Sequence, residues 1–273
     1  MRIARAVIDG APRVVVKDEA SVRLAPVDHP DDALAAIASA RGGASAGWET
    51  VDEATLVLAA PVADAGKMIA VGLNYADHTN ETGFTQPERP LTFAKYTSSL
   101  AGPHDDIVVP GHLTRQVDYE AELTLLIGRR CGGTTPAGLD DIAAYTVAND
   151  VSARDVQFGD VQWSRGKSFD TFTPLGPWLV TADEFEPDGH RIYTEVNGVT
   201  LQDDDTSEMI FDVSALLAFI SDGVTLEPGD LILTGTPAGA GAFRTPARYL
   251  QDGDVVVVGV EGIGELRNRV VVR

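Results

Sequence analysis

Two glutamates in one short segment are the residues of this sequence best suited to hold a metal ion. Segment 117–127, VDYEAELTLLI, alternates in the manner of a β-strand. Successive strand side chains point to opposite faces, so Glu120 and Glu122 share one face, with their Cα atoms about 6.6 Å apart. Carboxylates so spaced can bind one hard cation, Mg²⁺, Mn²⁺ or Ca²⁺. The alternative is a solvated strand face in an acidic protein.

Asp150 is a candidate for a third carboxylate at the same ion. It lies in YTVANDVSARD, residues 145–155, where a β-prone run ends and a helix can begin at Ser152. Metal sites often draw ligands from the ends of separate strands. The alternative is that Asp150 caps the N-terminus of the helix, which is a common use of aspartate.

A histidine and a lysine are candidates for acid–base and anion-binding roles. In NYADHTNE, residues 74–81, His78 and Glu81 are three apart and share a face of a helical turn. A carboxylate bonded to imidazole fixes its tautomer and raises its basicity, as a general base acting on water requires. Lys167, in RGKSFD, can hold an anionic substrate. The alternatives are an exposed histidine near acids and a surface lysine.

Three other motifs lack the context that their chemistry requires. Residues 43–47 match G-x-S-x-G, but a predicted helix precedes them, whereas a nucleophile elbow follows a strand. Residues 235–241, GTPAGAG, resemble a phosphate-binding loop but lack its Gly-Lys-Ser/Thr ending. Cys131 follows two arginines, yet nothing nearby supplies a base, which favours a structural thiol.

The elements that must position these residues are mostly short strands. Helical spacing is limited to residues 31–41, a segment after Asp150 and Asp212–Ile220. Without regular βαβ alternation, the pattern predicts a mainly β (α+β) fold, a largely antiparallel roll or barrel-like sandwich. The main predicted strands are 14–16, 22–24, 56–60, 68–71, 107–109, 121–127, 145–148, 178–180, 191–196, 231–233, 255–260 and 270–272.

Composition excludes several classes of protein. The 273 residues include 21 Lys+Arg and 41 Asp+Glu, for a net charge of −20. This balance argues against nucleic acid and anionic membrane surfaces as partners, since both require clustered basic residues. One cysteine excludes a disulfide framework. No apolar run approaches the roughly 18 residues of a membrane-spanning helix, and the start lacks a signal peptide, so we expect a cytoplasmic protein.

Together the motifs resemble those of the fumarylacetoacetate hydrolase superfamily. The resemblance runs from about Met68 to Val272 and rests on six motifs in order and spacing. They are VGLNYADHTNE, the Glu120-x-Glu122 strand, NDVSARDVQ, RGKSFDTFTPLGP, the VNG at residues 196–198, and EPGDLILTGTPAGAG. The chain is less similar to fumarylacetoacetase itself, which has a metal-binding aspartate where this chain has Val71. It looks more like the acylpyruvase and oxaloacetate decarboxylase members.

The resemblance implies a fold, a cofactor and roles for individual residues. It implies a β-roll catalytic domain over residues 63–273, a small N-terminal domain over residues 1–62 and a homodimer. It implies Mg²⁺ or Mn²⁺, with Ca²⁺ as a substitute. Position by position, the metal ligands match Glu120, Glu122 and Asp150, the catalytic residues match His78, Glu81 and Lys167, and the substrate-binding residues match Arg154, Gln157 and Thr236.

The implied function is that of a metal-dependent hydrolase that cleaves a C–C bond in an acylpyruvate-like 2-oxo acid. The paired His78 and Glu81 favour hydrolysis because that reaction needs an activated water. An oxaloacetate-type decarboxylase and a 2-hydroxydienoate isomerase or tautomerase are alternatives within the family. A catalytically degenerate metal-binding regulatory protein is the alternative of another class.

Overall fold

The described residues form two large packed sheets, two separate two-stranded sheets and few helices, in agreement with the mainly β pattern of the sequence. The computed structural model describes residues 1–18, 21–26 and 32–273. The helices are α1 (Ala33–Arg41), α2 (Ala76–Thr82), α3 (Arg154–Gly159) and α4 (Val213–Ser221). The strands are β1 (Arg2–Ile8), β2 (Ala11–Lys17), β3 (Val22–Leu24), β4 (Thr50–Val51), β5 (Val57–Ala59), β6 (Met68–Gly72), β7 (Leu91–Lys95), β8 (Leu100–Ala101), β9 (Ile107–Val109), β10 (Val117–Asp118), β11 (Ala121–Ile127), β12 (Cys131–Gly132), β13 (Ile142–Asn149), β14 (Ser152–Ala153), β15 (Thr173–Thr181), β16 (Arg191–Val196), β17 (Val199–Asp205), β18 (Thr225–Leu226), β19 (Leu231–Leu233), β20 (Val255–Val260) and β21 (Gly264–Val272).

Most strand pairs within the described residues are antiparallel. The larger sheet has the order β4-β3-β2-β1-β15-β13-β11-β19-β6-β7, with β5 beside β1 and β8 beside β15. The smaller sheet has the order β17-β16-β20-β21-β9. The two-stranded sheets pair β10 with β14 and β12 with β18. Among the strands of the described residues, the parallel pairs are β19 with β6, β15 with β8 and β21 with β9, and an isolated parallel bridge joins Gly133 and Asp222. The mainly β fold predicted from the sequence is therefore confirmed.

The main core lies between the two sheets. Strands β11, β13 and β15 of the larger sheet pack against β16, β20 and β21 of the smaller one. Alternate residues of β11 supply this core, and Leu123 and Leu125 are fully buried in it. Leu126, the residue after Leu125, packs into a second cluster on the opposite face, together with Ile37 of α1. Because both faces of β11 are covered, any charged side chain on this strand is removed from water.

The N-terminal strands continue the larger sheet. Strand β1 pairs with β15 through Arg2 with Val180 and Ile3 with Leu179, and it also pairs with β2 and β5. The division into domains at residues 62 and 63 stays a prediction.

The helices begin close to where the sequence places them. Asp212 caps α4 by accepting a hydrogen bond from the Ala215 amide at 2.7 Å. Asp32 caps α1 in the same way, through the Ala35 amide at 2.9 Å. The predicted start of that helix at Asp31 lies outside the described residues. In the described part of the chain, no helix is both long and apolar enough to cross a membrane.

Candidate active site

An acidic cluster forms where β11 begins and β13 ends. These strands are antiparallel neighbours in which Ala121 faces Asn149, so the next residues outward, Glu120 and Asp150, also meet. The Asp150 amide donates a hydrogen bond to the Glu120 carbonyl at 2.9 Å. Carboxylate oxygens of Glu120, Glu122 and Asp150 all lie within 4.8 Å of one another. Strand register therefore brings the three predicted metal ligands together.

Three buried cations neutralise two of these carboxylates. Lys167 Nζ donates to Glu120 Oε2 at 2.6 Å and to Asp150 Oδ2 at 2.8 Å. Lys95 Nζ donates to Asp150 Oδ1 at 2.6 Å, and the Arg154 guanidinium donates to Glu120 Oε1 at 2.6 Å. Burial by itself raises the pKa of Glu120, but Lys167 and Arg154 outweigh burial and hold that pKa at about 2. Glu120 is therefore a permanent anion.

Glu122 is the carboxylate that lacks a cation. Its Oε2 accepts a hydrogen bond from the Gly235 amide at 2.8 Å, and it forms no ion pair with any described residue. Burial, followed by the charges of Asp150 and Glu120, raises the pKa of Glu122 well above its usual value. A divalent cation among the three carboxylates would relieve this repulsion. Oxygen-only ligands suit hard cations such as Mg²⁺, Mn²⁺ and Ca²⁺, so these residues fit the predicted metal.

His78 and Glu81 form the predicted pair on α2. His78 Nδ1 lies 2.7 Å from Glu81 Oε1, and the second carboxylate oxygen accepts a hydrogen bond from the Gly239 amide at 2.9 Å. A carboxylate only accepts hydrogen bonds, so Nδ1 carries a proton, and in the neutral ring Nε2 has the lone pair of a base. The His78 ring also contacts Phe243 edge to face, with the ring centroids 5.7 Å apart.

The glycine-rich segment 235–241 presents its backbone amides to the carboxylates of this site. A side chain at position 239 is excluded because its φ is +104° and a Cβ there would lie 2.1 Å from the Leu201 carbonyl oxygen. The segment looks like a phosphate-binding loop because its amides are available, but their acceptors belong to the chain itself. The pairs are Gly235 with Glu122, Gly239 with Glu81, and Gly241 with Asp118.

Asp118 links this segment to Arg154. Its Oδ1 accepts a hydrogen bond from the Gly241 amide at 2.7 Å. Its Oδ2 accepts from the Ala242 amide and from Arg154 Nε, both at 2.9 Å. Because Arg154 also binds Glu120, one buried guanidinium connects the acidic cluster to the segment that holds Glu81.

Replacing Asp118 by Asn is expected to destabilise the protein by about 3 kcal/mol, because it removes one of the two carboxylates that pair with the buried Arg154 guanidinium. The Asn side-chain nitrogen cannot accept the hydrogen bonds that one carboxylate oxygen now accepts. Denaturant unfolding measures the loss. The matched control is Asp203→Asn, which breaks an exposed two-bond pair with Arg191 and is expected to change stability little. Equal losses in both variants would contradict the role given to Asp118.

A cavity that is partly open to solvent lies beside the acidic cluster. Glu81 supports the lining residue His78, and Glu122 and Asp150 complete the cluster around Glu120. The structure thus brings all nine predicted site residues together, while their individual roles stay predictions. The predicted residues that line the cavity directly are His78, Glu120, Arg154, Gln157, Lys167 and Thr236.

Sequence reasoning missed several buried residues that support this site. Asp118 was detectable, because strand alternation places it on the same face as Glu120 and Glu122. Lys95 and Gln202 had no comparable signal. Gln202 Nε2 donates to Thr236 Oγ1 at 2.8 Å, and Gln202 Oε1 accepts from the Ala121 amide at 3.0 Å.

Two alternatives considered for the carboxylates are wrong. Glu120 and Glu122 are not on a solvated face, since only 5% and 1% of their surfaces are exposed. Asp150 is not a helix cap, because α3 begins at Arg154, and Asp150 binds lysines instead. This strand face lies on the side opposite to the smaller sheet, and Lys167, Arg154 and the Gly235 amide cover the two carboxylates there.

The serine and cysteine motifs have no catalytic setting. Ser45 lies in a short 3₁₀ turn, Ala44–Gly47, directly after α1 and not after a strand. Cys131 is half-buried, and burial together with Asp141 raises the pKa of its thiol. A raised pKa disfavours the reactive thiolate, which agrees with a structural cysteine.

Comparison with known proteins points to one family. The model of the fumarylacetoacetate (FAA) hydrolase C-terminal domain matches residues 67–271. A mitochondrial oxaloacetate tautomerase of Bos taurus is 45% identical over 217 residues, which cover 78% of this chain and 68% of that protein.

Solved structures agree over the full chain. The fumarylacetoacetate hydrolase of Exiguobacterium antarcticum is 39% identical and superimposes with a TM-score of 0.87, covering 100% of both chains. The 5-carboxymethyl-2-hydroxymuconate delta-isomerase of Mycobacterium smegmatis is 36% identical, with a TM-score of 0.80 and 100% coverage of both chains. The predicted β-roll is confirmed by these similarities.

Proposed function

The chain belongs to the fumarylacetoacetate hydrolase family, and from that premise we propose that it is a divalent-metal-dependent tautomerase or isomerase of 2-oxo acids. The reaction removes a proton from the carbon next to the 2-oxo group. The proton is then delivered either to the 2-oxo oxygen or to a carbon further along the conjugated system. The observation that carries the proposal is that His78, held by Glu81, and Lys167 line the same cavity as Glu120.

Each group has a part in this proton transfer. A divalent cation held by Glu120, Glu122 and Asp150 would act as a Lewis acid towards the 2-oxo oxygen. His78 Nε2 takes the proton from carbon, and the C–H electron pair becomes a C=C bond as negative charge moves to oxygen. Lys167 stabilises that charge. Delivery of the proton to oxygen gives the enol, and delivery to a distant carbon gives the isomer with a shifted double bond.

Glu81 keeps His78 in the tautomer that this step needs. The Gly239 amide orients Glu81, and the proton on Nδ1 directs the lone pair of Nε2 to the reaction. Arg154, Gln157 and Thr236 are the proposed substrate-binding residues. Gln157 Oε1 accepts a hydrogen bond from Arg154 at 3.0 Å, so the two side chains orient each other.

The relatives support tautomerisation over the hydrolysis that the sequence favoured. One is named an oxaloacetate tautomerase, and another is named a delta-isomerase. The apolar residues that line much of the cavity also favour proton transfer over attack by water.

C–C hydrolysis is the second candidate, and one observation favours it. The hydrogen-bonded His78 and Glu81 have the arrangement of a general base that can also deprotonate water. The name of the hydrolase with a TM-score of 0.87 supports this candidate too. Oxaloacetate decarboxylation needs no such base, so the pair gives it less support.

Proton NMR in D₂O separates these reactions. We expect the protein with Mg²⁺ to exchange deuterium into carbon 3 of oxaloacetate and of 2,4-dioxopentanoate faster than the buffer does, without shortening either molecule. Release of acetate from 2,4-dioxopentanoate would favour hydrolysis, and accelerated release of CO₂ from oxaloacetate would favour decarboxylation. If the protein accelerates none of these three reactions, the result would favour the alternative of a metal-binding regulatory protein.

Three finer expectations stay proposals. The bound ion is proposed to be Mg²⁺ or Mn²⁺, since the carboxylates fit a hard divalent cation without selecting between these two. A homodimer and a location in the cytoplasm are proposed on the resemblance and on the sequence, respectively.

A further inference from the structure

The cavity beside the acidic cluster has an aromatic wall, formed by Phe84, Phe93, Phe158, Trp163 and Phe243. Phe93 and Trp163 pack edge to face, with the ring centroids 5.4 Å apart. Phe84 and Phe158 are 50% and 48% exposed, so they border the opening to solvent. Five aromatic side chains on one cavity make its outer part strongly apolar.

The backbone makes room for this wall. A Cβ at position 72 would lie 2.5 Å from the Trp163 ring, so the ring packs directly against Gly72, another lining residue. A larger residue at this position would displace the indole. The Trp163 ring is thus fitted to its position in the cavity.

The cationic side chains of the cavity are largely occupied. Among the described lining residues, Lys167 and Arg154 are the cations. Lys167 has three N–H donors, and two of them bind Glu120 and Asp150. Lys167 Nζ lies 5.2 Å from the Phe93 ring centroid, so an aromatic ring covers part of this cation.

The N–H donors of Arg154 are largely occupied as well. Its N–H groups bind Asp118, Gln157 and Glu120, and its guanidinium carbon lies 5.3 Å from the Phe243 ring centroid. The donors that remain on Arg154 and Lys167 suffice for one anionic head group. The aromatic wall has no further cation for a second one.

We infer that this cavity selects 2-oxo acids whose far end is apolar and planar, and that it discriminates against a second carboxylate at that end. The inference rests on the proposed function and specifies its substrate class. An apolar group buried against the aromatic wall gains the free energy of leaving water. A carboxylate in the same place loses hydration without gaining a partner.

Two unreactive 2-oxo acid analogues test the inference by binding alone. N-phenyloxamate and N-oxalylglycine share the oxamate head and differ in the far group, a phenyl ring against a carboxylate. Calorimetry on the wild-type protein with Mg²⁺ is expected to give at least about tenfold tighter binding of N-phenyloxamate.

A charge placed on the aromatic wall tests the cause of the selectivity. Phe158→Lys, at a half-exposed position, is expected to shift the ratio of the two affinities at least about tenfold towards N-oxalylglycine. The control is Phe219→Lys, a substitution at an exposed phenylalanine of α4 outside the cavity, which is expected to leave the ratio unchanged. An equal shift of the affinity ratio in both variants would mean that the aromatic wall does not cause the selectivity.

The outcomes for the wild type separate this inference from the proposed function. Equal binding of the analogues, or tighter binding of N-oxalylglycine, would overturn the inference and leave a 2-oxo acid substrate in place. Binding of neither analogue would overturn both, because the inference requires recognition of the oxamate head.

Discussion

Replacing Glu122 by Gln is expected to weaken Mg²⁺ binding at least about 100-fold while leaving the fold intact. The substitution removes one of three anionic ligands, and the remaining two are already paired with lysines and Arg154. Without metal, the variant is expected to be at least as stable as the wild type. The reason is that a neutral amide avoids both the cost of burying a charge and the repulsion by Asp150 and Glu120, which together raise the pKa of Glu122.

Calorimetric titration with Mg²⁺ measures the affinity, and denaturant unfolding in a chelator measures the stability. The matched control is Glu208→Gln, which removes the same charge from an exposed position and is expected to change neither quantity. Unchanged Mg²⁺ affinity in Glu122→Gln would contradict the assignment of Glu122 as a metal ligand. A large loss of metal-free stability would instead mean that Glu122 is a structural residue.

Replacing Glu81 by Gln is expected to slow proton exchange at carbon 3 by about 10²–10⁴-fold, the usual contribution of general base catalysis. The carboxylate now accepts from both His78 and the Gly239 amide. An amide has one accepting oxygen, so it can serve only one of these donors, and the tautomer of His78 is no longer fixed. Metal affinity is expected to stay at the wild-type value, because the three carboxylate ligands are untouched.

The rate of deuterium incorporation at saturating Mg²⁺ and substrate measures this effect. Asp77→Asn is the matched control, since it removes an exposed acid from the same helix, and it is expected to keep the wild-type rate. If Glu81→Gln kept full exchange but lost chain cleavage, His78 and Glu81 would serve water activation, and hydrolysis would become the favoured function.

Much of the fold was predictable because its strands carry a local signal. β11, β19 and β20 have the predicted bounds, since Val, Leu and Ile dominate each of them. Only residues 178–180 of β15 were predicted, because Pro174, Gly176 and Pro177 interrupt its pattern. Strand β17 was missed since its acidic second half, QDDD, is atypical of strands.

The site was predictable where its residues are close in sequence and not where they meet through the fold. The spacing of Glu120 and Glu122 and that of His78 and Glu81 follow from strand and helix periods. Lys95 lies 55 residues from Asp150 and meets it in the fold. No period in the sequence encodes that contact. The same holds for the amides of segment 235–241, whose acceptors Glu122, Glu81 and Asp118 are distant in sequence.

The aromatic wall shows the same limit. Phe84, Phe158 and Phe243 come from three separate parts of the chain and have no common spacing. Each phenylalanine alone fits an ordinary core or surface position. The fold brings them to one cavity, because Phe84 follows α2, Phe158 lies in α3 and Phe243 follows segment 235–241.

The measurement that tests the central claim most directly is the rate of deuterium incorporation into 2,4-dioxopentanoate as metal is returned to chelator-treated wild-type protein. The proposal predicts no enzymatic exchange without metal and a saturable rise with Mg²⁺ or Mn²⁺ that ends at one ion per chain. Full exchange in the chelator, or no exchange at saturating metal, would contradict it.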